Sequence, residues 1–138
     1  MTTTIDMQDI RNLNLFQRIT NIQTRFCFSY NNVLIFCVPK MMVNRAVGKE
    51  GQNVRHINQI LRKRIKIIAQ PDGIENLERF ISSIVSPVDF QSVEVKDNEV
   101  ILTAGSQSKA ALIGRNKRRL MEMQGIIKDF FGKSFRII

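Results

Sequence analysis

One pattern is written twice in this chain. Aligning Gly48 with Gly114 sets Leu34-Ile35-Phe36 against Val100-Ile101-Leu102, Val47 against Ile113, and Ile60-Leu61 against Ile126-Ile127. Each half reads helix, strand, strand, helix, glycine loop, helix, strand. Two copies in register imply one supersecondary unit used twice. The closing strands, RIKII and SFRII, match only after four additional residues in the second half, about one helical turn. The 138 residues therefore divide into two small units, expected at 1–71 and 72–138. Units of about 70 residues stand near the lower limit for an independent core. The fold class is α+β, with each unit a small sheet packed against helices.

Local signals give the elements. Apolar residues at Met7, Ile10, Leu13, Phe16, Ile19 and Ile22 recur at helical spacing, with Asp6 as a candidate N-cap. Two strands follow at about 25–30 and 33–38, joined by Asn31-Asn32 as a two-residue turn. A short helix at about 41–47 leads to Gly48, and after Gly51 a helix sets Val54, Ile57, Ile60 and Leu61 on one face. A strand at 64–70 ends at Pro71-Asp72-Gly73. In the second half, Ile74, Leu77, Ile81 and Ile84 mark a helix, with Asp72 and Glu75 spaced like a capping box. Ser86-Pro87 stops it. A hairpin through Asp97-Asn98, a short helix at about 107–113, the helical stretch RRLMEMQGIIKDFF with Leu120, Met123, Ile127 and Phe130 inward, and the strand SFRII complete the chain. Met41, Met42, Met121 and Met123 are expected as core and gap-filling side chains.

Charge is concentrated. The net charge is +9, and the isoelectric point is near 10.2. Residues 40–66 carry eight basic side chains and one acid, for +7, and 109–119 carry five and none, for +5. Between them, 71–99 hold seven acids and two bases, for −5. Two basic blocks point to two sites for a polyanion. The hydrophobic fraction of 43% suits a globular chain. No apolar run approaches the roughly 20 residues that cross a bilayer. The start MTTTIDMQD has no signal-peptide features, so a cytoplasmic protein without membrane partners is expected.

Chemistry-bearing constellations are scarce. In the hairpin register set by Asn31-Asn32, Cys27 opposes Phe36 and Cys37 opposes Phe26, so the two thiols point to opposite faces and do not bridge. With one histidine in the chain, a zinc cluster is not expected. There are no paired carboxylates in a plausible pocket and no nucleophile with a base, so neither an enzyme, a cofactor nor a small-molecule substrate is expected.

The stretch AVGKEGQNVRHI, residues 46–57, holds two glycines that let backbone approach a ligand closely. Gly51 opens a helix, whose free N–H groups and partial positive charge favour phosphate. An apolar face beside the loop can receive bases, which suits single-stranded nucleic acid better than a duplex.

The stretch V-G-K-E-G-Q-N-V (47–54), between two helices and flanked by strands, resembles the G-x-x-G loop of a KH domain. The N-terminal helix and extra strand resemble the type II arrangement. Two type II units in tandem over about 6–138 resemble the archaeal NusA-like transcription termination/antitermination factors. That resemblance implies single-stranded RNA extended across both units and action with RNA polymerase in elongation or termination. It implies a first loop of Gly48, Lys49, Glu50 and Gly51, with Asn53 and Arg55 on the next helix. It also implies a second loop of Gly114, Arg115, Asn116 and Lys117, followed by Arg118 and Arg119. Lys117 replaces the closing glycine. Either its side chain blocks close backbone approach and weakens this loop, or the loop's cations hold phosphates by charge alone. A polymerase contact is expected on the KH surfaces or on the acidic 71–99 segment. Tyr30, near a hairpin tip, is a candidate for stacking a base.

Two other readings fit parts of the chain. MMVNRAVGKEGQNVRHINQILRK reads as helix, glycine turn, helix, like a helix-turn-helix DNA-binding protein. A general KH factor in RNA processing or ribosome assembly would carry the same loops.

Overall fold

The computed structural model describes residues 7–138, so the candidate N-cap Asp6 lies outside the described residues. The chain divides into two compact units, 7–70 and 71–138. The first contains α1 (Met7–Thr20), β1 (Phe26–Tyr30), β2 (Val33–Val38), α2 (Val43–Val47), α3 (Gln52–Leu61) and β3 (Arg64–Ala69). The second repeats the order with α4 (Leu77–Val85), β4 (Ser92–Lys96), β5 (Glu99–Thr103), α5 (Ser106–Ile113), α6 (Arg118–Phe131) and β6 (Ser134–Ile137). The molecule is thus a mixed α+β chain with two three-stranded sheets, ordered β1-β2-β3 and β4-β5-β6.

In each sheet the hairpin is antiparallel, and the closing strand adds in parallel to the middle one. A parallel addition needs a crossover, and α2 with α3, or α5 with α6, supplies it. Asn31 and Asn32 both take positive φ, 53° and 62°, the conformation that a two-residue hairpin turn favours and asparagine tolerates. The register follows as expected, with Cys27 opposite Phe36 and Phe26 opposite Cys37.

Strand alternation then builds the first core. Leu34, Phe36 and Val38 face the helices and pack with Phe16, Ile22, Ala46, Ile57 and Ile67. The rings of Phe16 and Phe36 stack with centroids 4.5 Å apart. The β2 neighbours Ile35 and Cys37, on the other face of the strand, are also buried, which accounts for the unbroken apolar run VLIFCV. α1 ends where Asn21 turns left-handed at φ 62°, and the Thr20 hydroxyl donates to the Phe16 carbonyl at 2.8 Å.

In the second unit the buried side chains are Leu77, Phe80, Ile81, Ile84 and Val85 of α4, Val100, Ile101 and Leu102 of β5, Leu112, Met123, Ile126, Ile127 and Phe135. The Phe80 ring meets Phe130 at 4.9 Å and Phe131 at 6.0 Å. The four additional residues fall in α6, which has 14 residues against 10 in α3.

Several expectations are corrected. Ile10 and Ile60 lie on the apolar stripes of α1 and α3 but are exposed, and Ile74, also exposed, falls in a turn ahead of α4 rather than on its stripe. Met41 is 89% exposed and Met121 64%, so neither fills the core; Met42 packs on the first core and Met123 is buried. The capping box does not form. Ile74–Asn76 make a 3-10 turn, Asn76 becomes the N-cap of α4 without a side-chain cap bond, and the Asn76 amide donates instead to the Asp72 carbonyl at 3.0 Å. Tyr30 is buried and offers no ring to a base.

Candidate nucleic-acid interface

Each unit places its loop between the two crossover helices. Gly48 has φ 83° and ψ 168°, Glu50 55° and 30°, and Gly51 74° and 19°. In the second unit Gly114 has 75° and 172°, Asn116 55° and 29°, and Lys117 60° and 22°. These are the same backbone conformation twice. The same bonds close both turns, Gly51 N–H to the Gly48 carbonyl at 3.1 Å and Lys117 N–H to the Gly114 carbonyl at 3.2 Å. The incoming helices also end alike, Gly48 N–H on the Asn44 carbonyl and Gly114 N–H on that of Ala110.

The two ends of each loop differ in what they tolerate. The torsions at Gly48 and Gly114 belong to a region open essentially to glycine alone. A Cβ on Gly48 would sit 3.0 Å from the Asn53 backbone nitrogen and side chain, and one on Gly114 would sit 2.6 Å from Arg119 Cγ. The closing position is left-handed but roomy, since a Cβ on Gly51 would meet nothing nearer than Arg55 Nη1 at 3.6 Å. A lysine therefore fits at 117 at a backbone cost of about 1–2 kcal/mol. The side chain does not collapse the loop, whose torsions match those of the first.

Neither α3 nor α6 has a side-chain cap on its N-terminus; the Gln52 and Arg118 N–H groups close onto the Lys49 and Arg115 carbonyls, and the positive end of each helix dipole lies at the loop. Around the first loop Lys49, Glu50 and Arg55 are exposed, and the Arg55 guanidinium donates to the Glu50 carbonyl. Around the second, Arg115, Asn116, Lys117 and Arg118 are exposed. Three unopposed cations thus stand at the second loop, against two cations and one acid at the first.

With the geometry established, comparison with known proteins is informative. No family model matches the chain. A protein of Methanococcus vannielii named probable transcription termination protein NusA is 27% identical over 128 residues, 88% of this chain and 72% of that one. Its namesake in Methanocaldococcus jannaschii is 25% identical over 125 residues, 88% of this chain and 67% of that one. The one in Halococcus morrhuae is 24% identical over 138 residues, 94% and 97% of the two chains. This chain is NusA-like. In fold, the crystal structure of APE1850 matches with a TM-score of 0.67 at 24% identity, covering 97% of this chain and 99% of that one.

The NusA-like chain does not bring all twelve expected site residues to the surface. Gly48, Lys49, Glu50 and Gly51, with Arg55, form one cluster; Gly114, Arg115, Asn116, Lys117 and Arg118 form another. Asn53 is turned into the loop, where its amide donates to the Ala46 carbonyl at 3.1 Å and ties α3 to the end of α2. Its counterpart Arg119 is 9% exposed, lies against Gly114, and pairs with Glu122 at 3.1 Å. Both hold the loop rather than face solvent. The signal was present in the sequence as a polar residue five positions after each conserved-geometry glycine, but it does not tell inward from outward.

Elsewhere in the NusA-like chain, burial pushes the Cys27 thiol up to about 12, helped by Asp9 and opposed by Lys63. Burial and Cys27 do the same to Cys37, also to about 12. Burial and the neighbouring Arg64 lower Lys66, whereas Arg62, Lys63 and Arg64 are exposed. Among the described residues no group of His, Cys, Asp and Glu is arranged to hold a metal, and no helix is long and apolar enough to cross a membrane.

Proposed function

We propose that this chain is a single-stranded RNA-binding protein made of two tandem type II KH domains, 1–71 and 72–138, and that it acts with RNA polymerase in transcription elongation or termination. The observation that carries this reading is the repeated loop, one backbone conformation built from two dissimilar sequences, each time opening an uncapped helix amid basic side chains. Its natural ligand is a phosphate on a flexible strand, because backbone N–H groups and lysines grip phosphates whatever the base. The helix-strand-strand-helix-loop-helix-strand order of each unit supports the KH assignment. The transcriptional role is carried over from the names of the archaeal relatives. The reading is of a binding protein rather than an enzyme, acting in the cytoplasm.

The helix-turn-helix reading gains less support. The helix before the first loop has only five residues, and each helix–loop–helix lies between strands of a sheet that a three-helix DNA-binding domain does not need.

The test is fluorescence anisotropy with a labelled single-stranded RNA of ~12 nucleotides and with duplex DNA, at several salt concentrations. The variant carrying Lys49→Asp and Glu50→Asp is run beside the wild type. If about five phosphates are contacted, a fourfold rise in salt weakens RNA binding roughly 100-fold. Preference for RNA that falls in the variant is expected. Tight duplex binding, or RNA binding indifferent to the loop, would overturn the reading.

A further inference from the structure

The two loops share a backbone and differ in chemistry. At the second turn position Glu50 carries a negative charge, where Asn116 has the same torsions and none. At the closing position Gly51 adds nothing, where Lys117 adds an exposed cation in left-handed backbone. Four residues beyond the closing position, Arg55 leans on the Glu50 carbonyl; the corresponding Met121 leaves the Asn116 carbonyl without such a partner. From Ser106 to Met121 there is no acid, and the nearest one, Glu122, is engaged by Arg119.

We propose that the second loop is the principal anchor for the RNA phosphate backbone, and that the Lys117 ammonium group is the contact that makes it so. The proposal rests on the RNA-binding reading above and assigns the stronger share of it to the loop that departs from the glycine pattern. Lysine is a poor choice for left-handed backbone when glycine would close the same turn. The roomy closing position admits an exposed side chain at the N-cap of α6, between Arg115 and Arg118 in sequence. There it strengthens a field that the helix N-terminus already favours for anions, whereas at the first loop Glu50 weakens it.

Three substitutions in the full chain test this: Lys117→Gly, Lys117→Gln and Gly51→Lys. Binding to a labelled oligouridylate of ~12 nucleotides is measured across salt concentrations, with urea denaturation alongside. Both changes at Lys117 should weaken binding about fivefold at 0.1 M salt and lower the log–log salt slope by about 0.7, the share of one single-strand phosphate contact. Lys117→Gly should leave the urea midpoint unchanged or higher, so the weaker binding is not a folding defect. Gly51→Lys should raise the slope by about the same amount. Unchanged affinity and slope in the Lys117 variants, beside loss of binding on Lys49→Asp with Glu50→Asp, would make the first loop the anchor and overturn the proposal. Weakening by Lys117→Gly but not by Lys117→Gln would overturn it too, by making shape rather than charge the cause. A wild type that ignores single-stranded RNA would instead remove the functional reading on which it rests.

Discussion

Alanine at Gly48 and alanine at Gly51 should have very different costs, although the two glycines are three residues apart in one turn. At Gly48 the backbone lies where only glycine is comfortable, a strain of about 1–3 kcal/mol for any side chain. The added Cβ would also sit 3.0 Å from the Asn53 nitrogen and side chain. Relief requires Asn53 to move, and its bond to the Ala46 carbonyl contributes about another 1 kcal/mol. The expected loss is therefore about 2–4 kcal/mol. At Gly51 the left-handed strain is about 1–2 kcal/mol, with only an ordinary contact at 3.6 Å. Alanine also restrains the unfolded chain, returning about 0.4–1 kcal/mol. The expected net loss is about 1 kcal/mol or less. Urea denaturation followed by far-UV circular dichroism separates the two. With a slope of about 1–3 kcal/mol per molar urea, the Gly48→Ala midpoint should lie about 1 M below that of Gly51→Ala. Gly114→Ala should behave like Gly48→Ala, in the second unit. Equal losses at Gly48 and Gly51 would refute the steric reasoning, and with it the account of why lysine is admitted at 117.

Further outcomes follow from the same geometry. Arg119→Ala should destabilise the chain by about 2 kcal/mol, because it strips the partner from Glu122 and leaves a void beside Gly114; Arg118→Ala should leave stability unchanged and weaken RNA binding instead, as denaturation and anisotropy on both variants would reveal. Cys27 and Cys37 should resist a thiol-specific disulfide reagent at pH 8 until the chain unfolds. Their folded pKa values of about 12 exceed the ordinary 9.0, so the folded state keeps protons that the unfolded state sheds. Their contribution to stability is full below pH 9 and falls as pH rises toward 12, which the urea midpoint measured from pH 8 to 10.5 should follow downward.

Local rules made much of this fold legible. Asn31-Asn32 set the hairpin register to the residue, and Gly48 and Gly114 marked two turns that do have the same torsions. The four-residue offset between RIKII and SFRII appears as the longer α6. Periodicity failed where it had to. A helical stripe shows which side is apolar but not how far the opposing surface reaches, so Ile10, Ile60 and Met121 read as core and are exposed. Asp72 and Glu75 have capping-box spacing, yet a 3-10 turn delays α4 to Leu77. Asn53 and Arg119 look like ligand-facing polar groups because their inward course depends on the loop folding back over them. Lys117 leaves two readings open in the sequence, since composition alone does not reveal that the closing position has room for a side chain.

The central claim, that the two loops of like backbone bind the phosphate backbone of single-stranded RNA, is tested most directly by amide NMR of the isotope-labelled full chain titrated with single-stranded RNA. The account predicts that the amides of Gly114–Lys117 and of Gly48–Gly51 shift most, the second loop at the lower RNA concentration, with the first turns of α6 and α3 following. Shifts confined to the acidic 71–99 segment, or at neither loop while RNA is bound, would contradict it.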